Sequence, residues 1–169
     1  MSRRAADLAR QAAHGERAAL WEIGPALWGA FFGNAAEAKK NATAVSELSK
    51  DRDVEYGAAF ALAFSGDSSR SQTLANDLEK RFGEDTSVRF SYLPALQALL
   101  AINRGEPAKA IELLQAAVPY DLARPPSHWH GNFGALYPVY VRGEAYLAAH
   151  QGVEAAAEFR KFSTTAAFL

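Results

Sequence analysis

The sequence predicts an all-α protein in which the helices are arranged as pairs. Of the 169 residues, 36 are Ala and 17 are Leu, whereas Val and Ile together number 10. Helix-forming residues therefore far outnumber the β-branched residues that sheets favour, which argues against a mainly β fold. Glycine-marked turns also recur at spacings that suit a two-helix unit. The length and the nearly balanced charge, with 18 basic and 19 acidic side chains, predict a single globular domain over residues 1–169.

Four turns divide the chain into about four repeated units. Three of the turns carry a glycine, and the equivalent turn of the last unit falls at His150. The spacings between Gly33, Gly66, Gly105 and His150 are 33, 39 and 45 residues. These spacings are close to the length of a two-helix repeat. They predict units at about 16–50, 51–86, 87–121 and 135–165.

Three positions carry the same kind of side chain in every unit when the units are aligned on these turns. The residue seven before the turn is small, as Ala26, Ala59, Ala98 and Gly143. The residue five after it is also small, as Ala38, Ser71, Ala110 and Ala155. The residue twelve after it is apolar, as Val45, Leu78, Ala117 and Phe162. Small residues at the contact points let two helices approach closely, so each unit should pack as a pair.

The helices follow from periodic apolar residues and from start signals. We predict helices at 2–13, 16–32, 35–48, 53–65, 68–82, 88–104, 107–118, 135–149 and 152–165. Asn34 with Glu37 forms a capping box, and Asp67 or Ser68 offers a similar cap after the next turn. Pro107 stands near the first position of its helix, where the missing amide hydrogen is harmless.

Prolines mark the least regular parts of the pattern. Pro25 and Pro94 fall inside predicted helices, so they should kink those helices or shift their starts. The segment 119–134 holds Pro119, Pro125, Pro126, Gly131 and Gly134. This density of helix breakers predicts a long protruding loop.

The fourth unit resembles a tetratricopeptide repeat. Its Gly143, Tyr146, Ala155 and Phe159 match the glycine, tyrosine, alanine and phenylalanine of that family's signature. The earlier units keep the turn glycine and the small residues, but they lack most of the aromatic ones. Gly83 also stands where the family usually has a proline. The resemblance covers about 16–165 and implies a right-handed α-α superhelix, behind an N-terminal helix, that binds proteins or peptides.

Two segments resemble a narrower group. The stretches FGNAAEAKKNATAVSELSKDRDVEYGAAFALAFSGDSS and LYPVYVRGEAYLAAHQG look like the C-terminal helical repeats of bacterial, acidobacterial-type eukaryotic-like serine/threonine protein kinases. This resemblance implies that the chain is the sensing or docking region of a larger signalling protein. No glycine-rich phosphate loop, His-Arg-Asp loop or Asp-Phe-Gly triplet occurs, so any kinase activity would belong to another domain.

Composition and charge exclude several classes of partner and of chemical site. A formal net charge of −1 gives no field that would capture a polyanion, so we expect no nucleic-acid partner. The absence of Cys removes thiol catalysis and thiolate metal sites. The longest apolar stretch, 20–32, is too short to cross a bilayer. We expect a cytoplasmic protein or, alternatively, a periplasmic part of a membrane-anchored parent protein, with no bound cofactor.

The first helices of the pairs are predicted to line a common groove. Aligned positions there are rich in aromatic and weakly polar side chains, and tyrosine combines a large contact area with a hydrogen-bonding hydroxyl. We predict a partner-binding surface made of Tyr56, Phe60, Tyr92, Asn103, Tyr137, Tyr140 and Glu144. The alternative is that the same rings simply pack against neighbouring helices.

Catalytic chemistry has little support in the sequence. His128 and His130 lie one residue apart and could share a metal, but zinc normally takes three or four ligands and Asp121 is the only nearby carboxylate. Paired acids such as Asp77 and Glu79 lie in the polar second helix of a unit with no implied apolar pocket, so a glycosidase function has no support. We therefore predict a binding scaffold that is not an enzyme.

Two alternatives remain open beside a protein or peptide ligand in the groove. One is a structural module that forms a homodimer through its apolar C-terminal end, where Phe159, Phe162, Phe168 and Leu169 lie. The remote alternative is a small metal-dependent enzyme that uses His128 and His130.

Overall fold

The computed structural model describes residues 15–121 and 136–166. The first four helices are α1 (Gly15–Phe31), α2 (Ala35–Leu48), α3 (Arg52–Phe64) and α4 (Ser68–Phe82). A π-helical turn (Val88–Tyr92) leads into α5 (Leu93–Asn103), and a 3-10 helix (Leu114–Tyr120) continues α6 (Pro107–Leu113). The last pair is α7 (Tyr137–Ala148) and α8 (Gly152–Ala166). These residues contain no strand, so the all-α class is confirmed.

The described helices form two compact units. The first ends at Phe82 and holds α1 to α4, and the second begins at Gly83 and holds α5 to α8. In each unit both helix pairs pack internally, α1 also packs on α3, and α5 also packs on α7. Each unit thus contains two of the four predicted repeats. The right-handed superhelix stays a prediction, and the helix predicted at 2–13 lies outside the described residues.

All four predicted turns have the same backbone geometry. The φ angles are 80° at Gly33, 79° at Gly66, 77° at Gly105 and 60° at His150. After each, the next N–H donates to a carbonyl five residues back, as from Asn34 to Gly29 at 2.7 Å and from Gln151 to Tyr146 at 2.8 Å. This is the Schellman arrangement, in which a left-handed residue ends the helix. Because a Cβ disfavours that conformation, His150 carries a strain that the three glycines avoid.

The predicted helix starts are confirmed in their main features. The Asn34 side-chain oxygen accepts the Glu37 N–H at 3.3 Å, but the Glu37 carboxylate accepts from the Asn34 side-chain amide at 2.7 Å. The backbone N–H that a capping box would use is already bonded to Gly29. Asp67 accepts the Arg70 N–H at 3.3 Å, and Pro107 opens α6.

Three prolines lie within or at the start of helical segments, and each affects the backbone differently. Leu93 donates its N–H to Val88, five residues back, so a π turn precedes Pro94 and α5 begins later than the predicted 88. Pro25 lies within α1, where Gly24 removes the clash that a preceding Cβ would make with the proline ring. Pro119 lies inside the 3-10 helix, so the predicted loop does not begin there. The rest of that loop, from residue 122, lies outside the described residues.

The aligned small positions form the contacts within the helix pairs. Their described members are buried, including Ala26, Ala38, Ala59, Ser71, Ala98, Ala110 and Ala155. A Cβ on Gly143 would lie 2.5 Å from the Phe159 ring. The two signature residues of the last pair are thus in direct contact. The periodicity therefore identified buried positions of the helix pairs correctly.

A search for membrane-spanning helices within 15–121 and 136–166 finds none with enough length and apolar character.

Candidate functional site

One face of α7 carries three of the residues that the sequence assigned to a binding surface. Tyr137, Tyr140 and Glu144 lie three and four residues apart, so they follow one another along the same side of the helix. All three side chains are partly exposed. Tyr140 and Glu144 lie one helical turn apart, so the phenol is close to the carboxylate. We call these three residues the α7 face.

Electrostatics at the α7 face favour a positively charged ligand. Burial and, to a smaller extent, the nearby carboxylate of Glu144 raise the pKa of Tyr140 to about 12. Burial also raises the pKa of Tyr137 above its ordinary value. Both phenols therefore stay neutral at physiological pH, and Glu144 is the charged group of the α7 face. A carboxylate flanked by neutral aromatic rings suits a Lys, Arg or ammonium group.

Aromatic side chains from α8 hold the α7 face in place. The ring centroids of Tyr140 and Phe159 are 6.0 Å apart, and those of Tyr140 and Phe162 are 6.4 Å apart in an edge-on arrangement. Phe159 also lies over Gly143. Phe159 and Phe162 are thus used for packing within the pair, which weakens the prediction that they form a free apolar end. Phe168 and Leu169 lie outside the described residues.

Three predicted groove residues are instead part of the core. Tyr56 and Phe60 have no exposed surface, and Tyr92 retains 2%. In the first unit Tyr56 meets Phe60 edge-on at 6.0 Å, and Phe60 stacks on Phe64 at 6.1 Å. A partner could not touch these rings without opening the fold. The alternative of simple packing is therefore correct for Tyr56, Phe60 and Tyr92.

Asn103 is the remaining predicted residue of the groove. It is exposed at the end of α5, which packs on α7 within the second unit. Asn103 and the α7 face thus belong to adjacent first helices of neighbouring pairs. The candidate site within this unit consists of Tyr137, Tyr140 and Glu144, and Asn103 lies at the end of the adjacent first helix.

A buried ionic cluster on the other side of α7 was not predicted from the sequence. Arg142, 1% exposed, binds the Asp121 carboxylate and donates to Glu158 at 2.8 Å. Lys161 donates to Asp121 and to Glu158, each at 3.1 Å. We call these four residues the Arg142 cluster. A sequence signal existed, because Arg142 lies among apolar residues on the buried side of α7.

Hydrogen bonds keep the Arg142 cluster charged despite its burial. Burial alone would lower the pKa of Arg142, but its hydrogen bonds to Glu158 and Asp121 raise it above the ordinary value. Burial would likewise raise the pKa of Glu158, yet the bonds from Arg142 and Lys161 lower it. The cluster ties α7 to α8 and to the residue after the 3-10 helix. It therefore fixes the helix that carries the α7 face.

A second buried carboxylate was also missed, in the first unit. Glu55 on α3 is 1% exposed, binds Arg81 on α4, and hydrogen-bonds to Asp77. Arg81 also donates to Asp77 at 2.8 Å and to the Lys50 carbonyl at 2.8 Å. Asp77 itself keeps 42% of its side-chain surface exposed. We call Glu55, Asp77 and Arg81 the Glu55 cluster.

The proposed histidine pair cannot be placed. His128 and His130 lie outside the described residues. Among the residues that are described, no three His, Asp or Glu side chains gather in a way that could hold a metal ion.

Comparisons with protein-family models, with curated proteins and with solved structures give no match.

Proposed function

We propose that the chain is a non-catalytic scaffold that binds a protein or peptide through the α7 face. The observation that carries the proposal is that Tyr140 and Glu144 are both partly exposed, one turn apart on a helix that the Arg142 cluster anchors. Aromatic side chains on a fixed support provide contact area at little entropic cost. Such residues often dominate the energy of protein interfaces.

The charge of Glu144 defines the kind of ligand. A Lys or Arg side chain of the partner would bind the carboxylate, and its aliphatic part would lie across the Tyr140 ring. Asn103, on the neighbouring first helix, can donate to or accept from the backbone of an extended peptide. The partner segment should therefore be basic and otherwise apolar.

A peptide selection tests this proposal. Short random peptides displayed on phage are selected on the immobilised chain, and recovered peptides are synthesised and measured by calorimetry. We expect enrichment of Lys or Arg beside apolar residues. Glu144→Gln should weaken binding by about tenfold or more, since a hydrogen bond to a charged group contributes ~1.5–3 kcal/mol.

Glu154→Gln is the matched control, because Glu154 is an exposed acid on α8 outside the α7 face. Its affinity should equal that of the unchanged chain. Recovery of no peptide whose binding depends on Glu144 would rule out the α7 face as the binding site.

The wider setting that we propose is a sensing or docking region of a larger bacterial signalling protein. Its support is the resemblance of the two quoted segments to the helical repeats of eukaryotic-like serine/threonine kinases. Sequencing the coding DNA on both sides of this segment tests the setting. A kinase domain in the same reading frame is the expected result, and its absence would leave a binding scaffold without that role.

A further inference from the structure

Arg81 binds two different carboxyl groups with neighbouring nitrogen atoms. Its Nη2 donates to Glu55 on α3, and its Nε donates to Asp77 on α4 at 2.8 Å. Nε and Nη2 form one edge of the guanidinium group, and such an edge usually binds both oxygens of a single carboxylate. In the Glu55 cluster, the edge instead holds one oxygen from each of two carboxyl groups. The two acidic groups are therefore brought side by side.

Glu55 has one oxygen for which the described residues supply no donor. Its Oε2 accepts from Arg81, whereas its Oε1 is buried without a hydrogen-bond donor. A buried carboxylate oxygen without a donor is costly, because water cannot reach it. A proton on Oε1 removes this cost, since the protonated group becomes a donor and the Asp77 carboxylate beside it is an acceptor.

The surroundings of Glu55 supply one positive charge for two carboxyl groups. The charged side chains with the largest effect on Glu55 are Arg81 and Asp77, both on α4. Lys50, in the link between α2 and α3, acts on Asp77, and its carbonyl accepts from Arg81 at 2.8 Å. Helices α1 and α2 also pack on α3, and their described buried side chains are all apolar. Two ionised carboxyl groups would therefore leave the Glu55 cluster with a net negative charge.

The difference in exposure decides which of the two groups keeps the proton. The side chain of Glu55 is 1% exposed, whereas that of Asp77 is 42% exposed. Burial disfavours the charged form of a carboxyl group, so the proton belongs on Glu55. The raised pKa of Glu55 and the lowered pKa of Asp77 agree with this assignment.

We infer that Glu55 and Asp77 form a pH-sensitive latch between α3 and α4, closed by one proton that Oε1 of Glu55 donates to the Asp77 carboxylate. When this proton is lost, the two carboxylates repel each other, and Asp77 turns towards the solvent because its side chain is already partly exposed. Of the polar bonds between Glu55 and α4, only the bond with Arg81 then remains. The latch lies in the first unit and does not depend on ligand binding at the α7 face.

NMR of the side-chain carboxyl carbons tests the shared proton in the full chain. In a pH titration, Glu55 and Asp77 should show a common inflection, because one proton serves both groups. In Asp77→Asn, the Glu55 inflection should move towards acid by about one pH unit or more, since the accepting carboxylate and its charge are lost. Glu79→Gln is the matched control, because Glu79 is an exposed acid of the same helix. It should leave the Glu55 inflection in place.

Hydrogen exchange in the last two turns of α4 measures the opening of the latch. After correction for the intrinsic exchange rate, amide protection there should fall by about tenfold or more from the acidic to the alkaline side of the inflection. One unit of pKa shift corresponds to a factor of ten in the opening equilibrium. In Asp77→Asn, protection should stay constant over the same interval.

Three results would overturn the inference. The first is a Glu55 carboxyl group that titrates in acid, as an ordinary glutamate does. The second is a Glu55 inflection that Asp77→Asn leaves in place, which would mean that burial alone retains the proton. The third is a common inflection without any loss of protection in α4, which would mean that the shared proton closes no latch.

Discussion

The two units contain buried ionic clusters that differ in their balance of charge. In the first unit, the Glu55 cluster has two carboxyl groups for one guanidinium group. In the second unit, the Arg142 cluster has two carboxyl groups for two cations. Both clusters connect the first helix of a pair to the second. Only the second can be fully ionised and neutral overall.

This difference explains the opposite pKa shifts of the two clusters. Burial and the hydrogen bond with Asp77 outweigh the attraction of Arg81, so the pKa of Glu55 rises from 4.5 to about 7. The same hydrogen bond lowers the pKa of Asp77. In the Arg142 cluster, by contrast, the two cations lower the pKa of Glu158. A cluster with an extra carboxyl group retains a proton, whereas a balanced cluster releases it.

Removing the central cation should affect the two units unequally. Arg142→Met leaves Asp121 and Glu158 buried with one cation fewer, so we expect a loss of ~3–5 kcal/mol, typical of a broken buried pair. Arg81→Met should cost the first unit less, about 1.5 kcal/mol, because Glu55 can take up a proton and water reaches the partly exposed site. Hydrogen exchange of the slowest amides in α7 and in α3 measures the free energy of unfolding of each unit separately.

Arg160→Met serves as the control for both variants, because Arg160 is exposed on α8. This variant should leave the exchange rates of the slowest amides unchanged. Equal losses of stability in Arg142→Met and Arg81→Met would contradict the proposed difference between the two clusters.

The first unit should lose stability as the pH rises towards and above neutrality. The folded pKa of Glu55, about 7, lies above its unfolded value, 4.5, so the folded state binds the extra proton. The stabilisation is fully present below pH 4.5 and is lost as the pH rises through 7. Amide protection in α3 and α4 should fall over this window. Glu55→Gln should abolish the slope, and an undiminished slope in that variant would refute the assignment to Glu55.

The second unit should respond in the opposite direction. The folded pKa of Glu158 lies below its unfolded value of 4.5, so its contribution is present above pH 4.5 and is lost as the pH falls through the folded pKa. Amide protection in α7 and α8 should therefore decrease in acid. Glu158→Gln should remove this acid-dependent part, while Glu154→Gln should leave it intact. An acid response that persists in Glu158→Gln would contradict the prediction.

The smallest expected effect concerns the turns. His150→Gly in the second unit should stabilise by about 0.5–1 kcal/mol, because relief of the left-handed strain exceeds the backbone freedom that glycine gains when unfolded. Gly66→Ala introduces the same strain in the first unit and should cost ~1–2 kcal/mol. Thermal unfolding followed by circular dichroism measures both changes. Destabilisation by His150→Gly would show that the imidazole makes a compensating contact.

Local features of the fold were predictable from the sequence, whereas the packing of distant helices was not. The four turns, the small buried positions and the approximate course of most described helices depend on local geometry and on a repeating spacing, and these predictions are confirmed. The start of α5 at Leu93 and the end of α6 at Leu113 differ from the predicted bounds. The location of Tyr56, Phe60 and Tyr92 depends on which element covers a given helix face. Spacing alone carries no such information.

The buried charges were missed for a related physical reason. Periodicity assigns polar side chains to solvent, and Glu55 and Arg142 are exceptions because their partners lie on other helices. The hydrogen bond from Arg142 to Asp121 spans 21 residues, and that between Arg81 and Glu55 spans 26. Pairings at such separations arise only when the helix pairs are formed. By contrast, Tyr137, Tyr140 and Glu144 lie on one helix, so spacing alone predicts that they share a side.

The Arg142 cluster also determines how the chain should tolerate being cut. Asp121 is held by Arg142 and by Lys161, which is 40 residues further along the chain. Cleavage by a protease between residues 122 and 135 would break the chain between Asp121 and α7. The two fragments would still be joined by the ionic bonds of Asp121 and by the packing of α5 on α7. The pieces should remain associated in native buffer and separate in denaturant. The second unit thus offers a natural position for splitting the protein into two fragments that reassemble.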